Sequence, residues 1–358
     1  MRRLFISILC LLLLLLPACG RKATIEQKNI APLPPPSYEI ALITSPKGLE
    51  DGIVLAAWEG LQTAADAAGI SYQWYQPEGN DYLSAIRLAV QAGAKLIICP
   101  SGQQDFAILQ AQEEYPDLFF LTVDYLPASG DSEEATLAAN SCAILFSEEE
   151  AGFLAGYAAA ADGYSKLGFV AQRKDAAYGI GFLQGLNAAA SERGSTIEVR
   201  YGYTDDLPAE RSVLSMVYPW YIDGTELIFA CGAQISQAVL PAAEASCAAV
   251  IGSDTDQHRA SDVFVLSAVK NIKEAVADLI EAYGRNTFPA GQIRSYGLAE
   301  SGVSLSIETS RLLHFTQEDY LLLLERLHNG EYEIKNGFEI EADPQSLLSD
   351  SVRLLPME

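Results

Sequence analysis

The sequence predicts an α/β protein made of two doubly wound lobes, in which parallel strands are covered by helices on both faces. The chain has 358 residues, more than one hydrophobic core usually serves, so two lobes are expected. Hydrophobic residues make up 49% of the chain and charged residues 20%, which suffices for large cores. Short apolar runs alternate with helical patterns at the spacing of βαβ units, which favours parallel sheets.

The first feature along the chain is an export signal. Arg2 and Arg3 precede the apolar run Leu4–Leu16, which is shorter than the ~20 residues of a spanning helix but suits a signal-peptide core. Cys19 follows after small residues, as in the bacterial lipobox, where cleavage before the cysteine frees it for lipidation. We expect a signal peptide over 1–18 and lipidation of Cys19. The alternative is an ordinary secretory signal that happens to contain Cys19.

Residues 19–37 follow as a tether. This segment contains four prolines and has no apolar period, which favours an extended chain between the lipid and the first lobe. The protein would then be anchored in the cell membrane through its lipid, on the extracytoplasmic face.

The first round of strands and helices comes next. We expect residues 38–144, together with about 271–300, to form the N-terminal lobe. The predicted strands are Glu39–Ile43, Ser71–Tyr75, Leu96–Cys99 and Leu118–Val123. The predicted helices are Gly52–Ala68, Tyr82–Ala92 and Asp105–Tyr115.

A second round repeats this alternation. We expect residues 145–270, together with about 301–330, to form the C-terminal lobe, and 331–358 to be a tail. Ser147 is a predicted N-cap, because three glutamates follow it where carboxylates favour the helix dipole. The predicted strands are Leu167–Val170, Ile197–Tyr201, Leu227–Ala230, Ala248–Ile251 and Val263–Val269. The predicted helices run from Ser147 to about Ala161 and over Tyr178–Ser191, Ala209–Tyr218, Ile235–Ala245 and Gln317–Leu327. The segments Ile272–Tyr283, Ile293–Leu298 and Val303–Ile307 are expected to cross back between the lobes.

Composition argues against several classes of protein. The formal net charge of −24 leaves no basic surface for phosphate backbones, so nucleic acid is not an expected partner. No CxxC pair or other metal-ligand spacing is found, so neither a metal nor another cofactor is expected. Cysteines in apolar runs are interpreted as buried thiols, although export would also permit a disulfide. These cysteines are Cys99, Cys142, Cys231 and Cys247.

The sequence contains no catalytic constellation. A nucleophile needs a base held near it, and the three histidines lie in the stretches HRASD, LLHFT and RLHNG without a nucleophile elbow or a cysteine partner. No P-loop or GxGxxG follows a strand. We therefore expect a binding protein rather than an enzyme.

The stretch Ala248–Asn271 contains the strongest candidate binding residues. Asp254 follows one apolar run and Lys270 ends the next. Ligands of doubly wound sheets bind beyond the carboxyl ends of the strands, so we expect these two side chains to be walls of one pocket. Asp254 is equally typical of a turn or a helix cap. The alternative for Lys270 is a surface position just past the strand, since an unpaired buried lysine is costly.

Two further strand ends offer weaker candidates. Asp124 follows the run Leu118–Val123 and is either a pocket acid or the start of a turn. Gly102 lies in the stretch PSGQ, where it would let a loop approach a ligand or would simply form a turn.

Six ordered motifs, spread over about Tyr38 to Ile334, carry a resemblance to a known family. They are YPDLFFLTVD (Tyr115–Asp124), FSEEEAGFLAGYAAA (Phe146–Ala160), KLGFVAQRKDAAYGIGFLQGL (Lys166–Leu186), VIGSDTDQ (Val250–Gln257), VLSAVKN (Val265–Asn271) and YGLAESGVSLS (Tyr296–Ser306). Together they resemble the basic membrane protein (BMP) family of ABC-transporter substrate-binding lipoproteins, of the PnrA-like type.

The resemblance implies a type I periplasmic-binding-protein fold that captures a nucleoside or nucleoside-like molecule between its lobes. It implies that Asp254 and Lys270 hold ribose hydroxyls, that the backbone of Gly232 approaches the sugar, and that Tyr203 stacks on the base. It also implies that ABC permease subunits are the partners, and we expect the binding protein itself to be a monomer.

One loop departs from the family pattern. The family carries an Asp and then Ser-Phe-Asn after its first strand, where the Asp and Asn read the base. Here the stretch Leu49–Leu61 has Gly52, Ile53 and Val54 in place of Ser-Phe-Asn, and only Glu50 or Asp51 is available to replace the Asp. The sugar side of the pocket is therefore kept and the base side is not, which leaves a non-nucleoside ligand open.

Other functions of the same fold are the remaining alternatives. A surface lipoprotein with a signalling or adhesion role would need no permease. A cytosolic regulator is disfavoured, because the chain carries an export signal and no N-terminal helix-turn-helix.

Overall fold

Two sheets form the framework of the structure, a computed structural model that describes residues 37–128, 137–172, 177–204, 210–336, 345 and 348–356. The predicted export signal and Cys19 lie outside the described residues. The predicted α/β class is confirmed, because helices alternate with largely parallel strands through both sheets.

The first sheet has six strands and the second has seven. The first contains β1 (Ile40–Ile43), β2 (Tyr72–Tyr75), β3 (Leu96–Cys99), β4 (Phe119–Val123), β5 (Ser141–Phe146) and β11 (Gln292–Tyr296). The second contains β6 (Lys166–Ala171), β7 (Ile197–Tyr203), β8 (Leu227–Ala230), β9 (Ala249–Asp254), β10 (Phe264–Lys270), β12 (Val303–Leu305) and β13 (Val352–Pro356).

Both sheets share one doubly wound topology. The strand order is β11-β5-β4-β3-β1-β2 in the first sheet and β12-β10-β9-β8-β6-β7-β13 in the second. The order β2-β1-β3-β4-β5 is therefore repeated as β7-β6-β8-β9-β10. Every pairing is parallel except that of β10 with β12. The central strands β1, β3 and β8 are buried along their whole length, which explains why they are continuous apolar runs rather than alternating ones.

Nine α-helices cover the sheets in the described residues. They are α1 (Gly52–Ala68), α2 (Tyr82–Gln91), α3 (Asp105–Glu114), α4 (Glu148–Asp162), α5 (Ala177–Arg193), α6 (Glu210–Ile222), α7 (Ala233–Ser246), α8 (Ile272–Gly284) and α9 (Gln317–His328). Each corresponds to a helix or crossing segment predicted from the sequence. None of these helices is both long enough and apolar enough to span a membrane.

The predicted crossing segments link the two sheets. After β10 ends in the second sheet, α8 packs against α1 so closely that a Cβ on Gly60 would overlap the carbonyl of Lys273. Strand β11 then pairs with β5 of the first sheet, and β12 returns to pair with β10. The lobe boundaries predicted from the sequence stay a prediction.

Two strands and one cap differ from the sequence prediction. Strand β5, which pairs with β4, is not predicted from the sequence. Strand β13 lies in the predicted tail and adds an edge to the second sheet by pairing with β7. The Ser147 side chain makes no capping hydrogen bond, so the predicted cap is wrong in that respect. Its hydroxyl lies instead close to Gly297, and its backbone N–H donates to the carbonyl of Tyr296.

Helices α4 and α5 pack closely, and four glycines lie at their contact. A Cβ on Gly152 or Gly156 would overlap carbonyl oxygens of α5, and one on Gly181 or Gly185 would overlap carbonyl oxygens of α4. Each pair of glycines is four residues apart and therefore shares one helix face. This contact fixes the start of α4, which carries Glu148, against the start of α5, which carries Tyr178.

Candidate functional site

A cavity of about 410 Å³ lies between the carboxyl ends of the two sheets. Its walls are loops that follow β1, β3 and β4 of the first sheet and β6, β8 and β9 of the second. The strand order reverses between β1 and β3 and between β6 and β8, and such switch points are where ligands of doubly wound sheets bind. The volume also falls in the range of small-molecule sites, ~300–1,000 Å³.

A buried lysine with three carboxylates forms one wall of this site. Lys270 Nζ lies 2.6 Å from Asp124 Oδ2, 2.7 Å from Glu148 Oε1 and 2.9 Å from Asp254 Oδ1. Only 4% of Lys270 is exposed. Because Asp124 follows β4 and Lys270 ends β10, this group of four residues, the acid–lysine cluster, joins the two sheets across the cavity.

Asp254 has two further partners that fix its carboxylate. Its Oδ2 accepts a hydrogen bond from the backbone N–H of Ala233, the first residue of α7, at 2.8 Å, and its Oδ1 accepts one from Tyr178 Oη at 3.2 Å. The Tyr178 ring also lies 5.2 Å from Lys270 Nζ, within the distance of a cation–π contact. Asp254 therefore caps a helix, but one that begins at a neighbouring strand rather than its own.

The two aspartates occupy equivalent positions in the repeated topology. Asp124 follows the fourth strand of the first sheet and Asp254 ends the fourth strand of the second. Both have left-handed backbone conformations, with φ of 69° and 68°. Non-glycine residues rarely adopt this conformation, and such strain is concentrated at functional sites.

Burial and neighbouring charges shift the pKa values of the cluster. Burial, reinforced by Glu148 and Asp254, raises the pKa of Asp124 to about 7 despite the attraction of Lys270. Burial also acts on Asp254, but Lys270 and the hydrogen bonds from Ala233 and Tyr178 hold its pKa below the ordinary value. The three carboxylates outweigh burial at Lys270 and raise the pKa of its ammonium group well above the ordinary value.

This arrangement leaves hydrogen-bond acceptors facing the cavity. The three N–H groups of Lys270 match three carboxylate oxygens, whereas Asp124 and Asp254 line the cavity with further acceptor capacity. The three carboxylates also lie close enough to one another to hold a metal ion, but the Lys270 ammonium is paired with each of them. The cavity wall is therefore suited to hydroxyl or amine donors on a ligand.

Five of the seven predicted site residues line the cavity, and two do not. The cavity lining includes Asp51, Gly102, Asp124, Gly232 and Asp254. Lys270 lies behind the carboxylates. The ring of Tyr203 packs against Phe169 and Tyr201, with centroids 6.1 and 5.8 Å away, and does not contribute to the lining. Its role in stacking on a base stays a prediction.

Asp51 and Gly232 have local roles that the structure explains. Asp51 Oδ1 accepts hydrogen bonds from the backbone N–H groups of Ile53 and Val54 and so caps α1. Gly232 has φ of 114°, which a residue with a side chain rarely adopts, and immediately precedes α7. The start of α7 can thus approach a ligand through its backbone.

Sequence reasoning missed Glu148, Tyr178 and three cavity glutamines, Gln103, Gln172 and Gln234. Glu148 was interpreted only as a helix-dipole residue. The signal that identifies it is its position after β5, next to Asp124 in the strand order. Cys231 also lines the cavity, and burial raises the pKa of its thiol well above the ordinary value. Cys99, Cys142 and Cys231 are buried as predicted, whereas Cys247 is exposed.

Comparisons with known proteins agree with this architecture. A family model described as "ABC transporter substrate-binding protein PnrA-like" matches residues 50–336. The ABC transporter nucleoside-binding protein BmpA of Lactococcus lactis subsp. cremoris is 26% identical over 295 residues, which cover 75% of this chain and 82% of that protein. The CD4+ T-cell-stimulating antigen of Listeria monocytogenes is 25% identical over 320 residues, which cover 82% of this chain and 86% of that protein.

A solved structure shows a similar fold. The ABC transporter solute-binding protein from Conexibacter woesei superimposes with a TM-score of 0.62 at 20% identity, covering 84% of this chain and 99% of that one. The family model matches far more than half of the sequence, including every loop that lines the cavity. The chain therefore belongs to the PnrA-like family of ABC transporter substrate-binding proteins.

Proposed function

We propose that this protein captures a nucleoside or nucleoside-like solute in the cavity between its two sheets and delivers it to the permease of an ABC importer. The family is one of substrate-binding proteins rather than enzymes. The observation that carries the proposal is the acid–lysine cluster, which presents Asp124 and Asp254 to the cavity. Carboxylates fixed in this way can accept hydrogen bonds from a pair of ribose hydroxyls.

The nucleoside part of the proposal has two supports. The relative from Lactococcus lactis is named as a nucleoside-binding protein, and the cavity volume of about 410 Å³ leaves room for a sugar and a base. Beyond the carboxylates, the cavity is lined by aliphatic and amide side chains, among them Ile53, Pro100 and Gln103. These groups suit an uncharged ring system.

Calorimetry with a panel of ribonucleosides, ribose and free bases tests this proposal. We expect at least one ribonucleoside to bind, and its free base to bind more weakly because the base lacks the hydroxyl groups. If ribose binds tightly and no base increases the affinity, the ligand is a simple polyol or sugar rather than a nucleoside. Folded protein that binds no ribonucleoside would refute the nucleoside assignment.

We also infer that the protein is anchored at the extracytoplasmic face of the membrane by lipid on Cys19. The support is the signal-peptide pattern before Cys19 and the proline-containing segment after it. In cells fed a labelled fatty acid, wild-type protein should carry the label and Cys19→Ser should not. Equal labelling of both proteins would contradict the anchor, and Cys10→Ser is the matched control that should keep the label.

A further inference from the structure

Strand order places the acid–lysine cluster at one end of the cavity, the acidic end. Three glutamines lie toward the other end, which also holds Asp51, whose carboxylate caps α1. Asp124 follows β4 and Asp254 ends β9, which places both at the acidic end. Gln103 follows β3, the strand next to β4. Gln234 follows β8, the strand next to β9, and Gln172 follows β6, which is one strand further away. Neighbouring strands are ~4.8 Å apart, so these glutamines belong to strands about 5 to 10 Å from the acidic end. A ligand held by its hydroxyls at the acidic end therefore extends toward amide groups.

The turn that carries Gln103 is fixed to the end of β1. Gln104 is fully buried, and its Nε2 donates to the carbonyls of Ile43 at 2.8 Å and Thr44 at 3.3 Å. The hydroxyl of Ser101 accepts a hydrogen bond from the backbone N–H of Gln103. The backbone of Gln103 is thus held in place without a ligand, which reduces the ordering cost of binding.

The amide of Gln103 is also oriented. Tyr82 is 4% exposed, and its Oη donates a hydrogen bond to Gln103 Oε1 at 3.1 Å. Because the oxygen of the amide faces Tyr82, the Nε2 group is left to donate elsewhere. Gln103 is itself exposed and lines the cavity.

We propose that Gln103 is a specificity-determining residue that donates a hydrogen bond from Nε2 to an acceptor atom on the part of the ligand that extends beyond its hydroxyls. This inference rests on the proposed function. For a nucleoside, the acceptor is a ring nitrogen or carbonyl oxygen of the base. Tyr82 is then a positioning residue, because it sets which face of the amide the ligand meets.

The test compares nucleosides with analogues that each lack one acceptor atom of the base. The ribonucleoside that binds the wild-type protein most tightly in calorimetry is measured beside its analogues, in wild type, Gln103→Met and Gln91→Met. One hydrogen bond is worth about 1 kcal/mol, so wild type should bind one analogue about five- to tenfold more weakly than its parent. Gln103→Met should bind the two equally. Gln91 is exposed on α2, away from the cavity, so Gln91→Met should keep the wild-type preference.

Tyr82→Phe tests the orientation of the Gln103 amide separately from its contact with the ligand. It keeps the ring but removes the donor to Gln103 Oε1, so the amide is free to turn and the preference should fall to about half of the wild-type value.

Three results would overturn the proposal or its basis. If wild type binds every analogue with the affinity of its parent, Gln103 is not the determinant of specificity. The same conclusion follows if Gln103→Met keeps the full preference. Absence of binding to every ribonucleoside refutes the proposed function, and this inference with it.

Discussion

At the scale of single residues, the acid–lysine cluster holds more negative than positive charge. Three carboxylates surround one ammonium group, so the ionised acid–lysine cluster carries two surplus negative charges. Repulsion among Asp124, Glu148 and Asp254 and their burial oppose this state, as the raised pKa of Asp124 indicates. Hydroxyl groups of a ligand would stabilise the carboxylates by donating to them, which links the strained, charged site to its proposed function.

Lys270→Met tests the importance of the ammonium group for the fold. The variant leaves three carboxylates together without a counterion, and removal of one partner of a buried ion pair costs about 3–5 kcal/mol. We expect a loss of that size in the free energy of unfolding, measured with urea at pH 7.5. Lys95 is the matched control, since it is exposed and its pair with Glu39 is 3.7 Å long; Lys95→Met should change stability by less than about 1 kcal/mol. Equal stability of the two variants would show that the Lys270 ammonium does not stabilise the fold.

Asp124→Asn tests the raised pKa. The pKa of aspartate in an unfolded chain is ~3.9, whereas burial raises the pKa of Asp124 to about 7 in the folded protein. The folded protein therefore holds a proton that the unfolded chain has lost, and this contribution to stability is present at low pH and disappears as pH rises toward 7.

We expect the stability of wild type, relative to Asp124→Asn, to fall by roughly 1–2 kcal/mol between pH 5.5 and pH 7.5. Parallel pH profiles of the two proteins would show that Asp124 titrates normally. Asp254 does not produce this slope, because its pKa lies below the ordinary value and its contribution changes only at more acidic pH.

At the scale of elements, the helix pair α4 and α5 positions the cluster. Glu148 begins α4, and Tyr178 lies in the first turn of α5, so the separation of these helices sets the distance of both side chains from Lys270. The two glycine pairs permit that close separation.

Gly156→Ala should disturb this contact. A Cβ at Gly156 would overlap the carbonyl oxygen of Phe182, and overpacking of this kind costs about 1–3 kcal/mol. Gly284→Ala is the control, because a Cβ there meets only side-chain atoms at ordinary distances of 3.4 and 3.8 Å. Thermal unfolding should show a lower Tm for Gly156→Ala than for Gly284→Ala. A Gly156→Ala protein with wild-type Tm would mean that the helices can separate at little cost.

The elements also show what the sequence could and could not predict. Apolar runs and helical periods predicted nearly every strand and helix, because most of these elements are either buried or amphipathic. Sequence reasoning missed strand β5, although it is as apolar as its neighbours, and the edge strand β13, which pairs only with β7. Two of the three carboxylates paired with Lys270 could not be predicted from its own segment, since Asp124 and Glu148 lie 146 and 122 residues away along the chain.

At the scale of the whole molecule, the repeated strand order explains why residues from distant segments meet. Equivalent strands β4 and β9 supply the two aspartates, and the equivalent strands β5 and β10 are followed or ended by Glu148 and Lys270. Their positions at strand ends made Asp124 and Asp254 candidate pocket acids, with a turn or a helix cap as the alternative. The sequence could not predict that Tyr203 packs against Phe169 and Tyr201 or that Gln103 lines the cavity, because side-chain direction depends on tertiary contacts.

Asp254 is proposed to hold the ligand's hydroxyls. The most direct test is the affinity of Asp254→Asn for the ribonucleoside that wild type binds most tightly, measured by calorimetry beside Asp256→Asn. Asp256 lies two residues away, pairs with His258 and Thr309, and does not line the cavity. A hydrogen bond to a charged group is worth about 1.5–3 kcal/mol, so Asp254→Asn should bind about 10- to 100-fold more weakly, whereas Asp256→Asn should bind like wild type. Unchanged affinity in a folded Asp254→Asn protein would show that Asp254 does not hold the ligand.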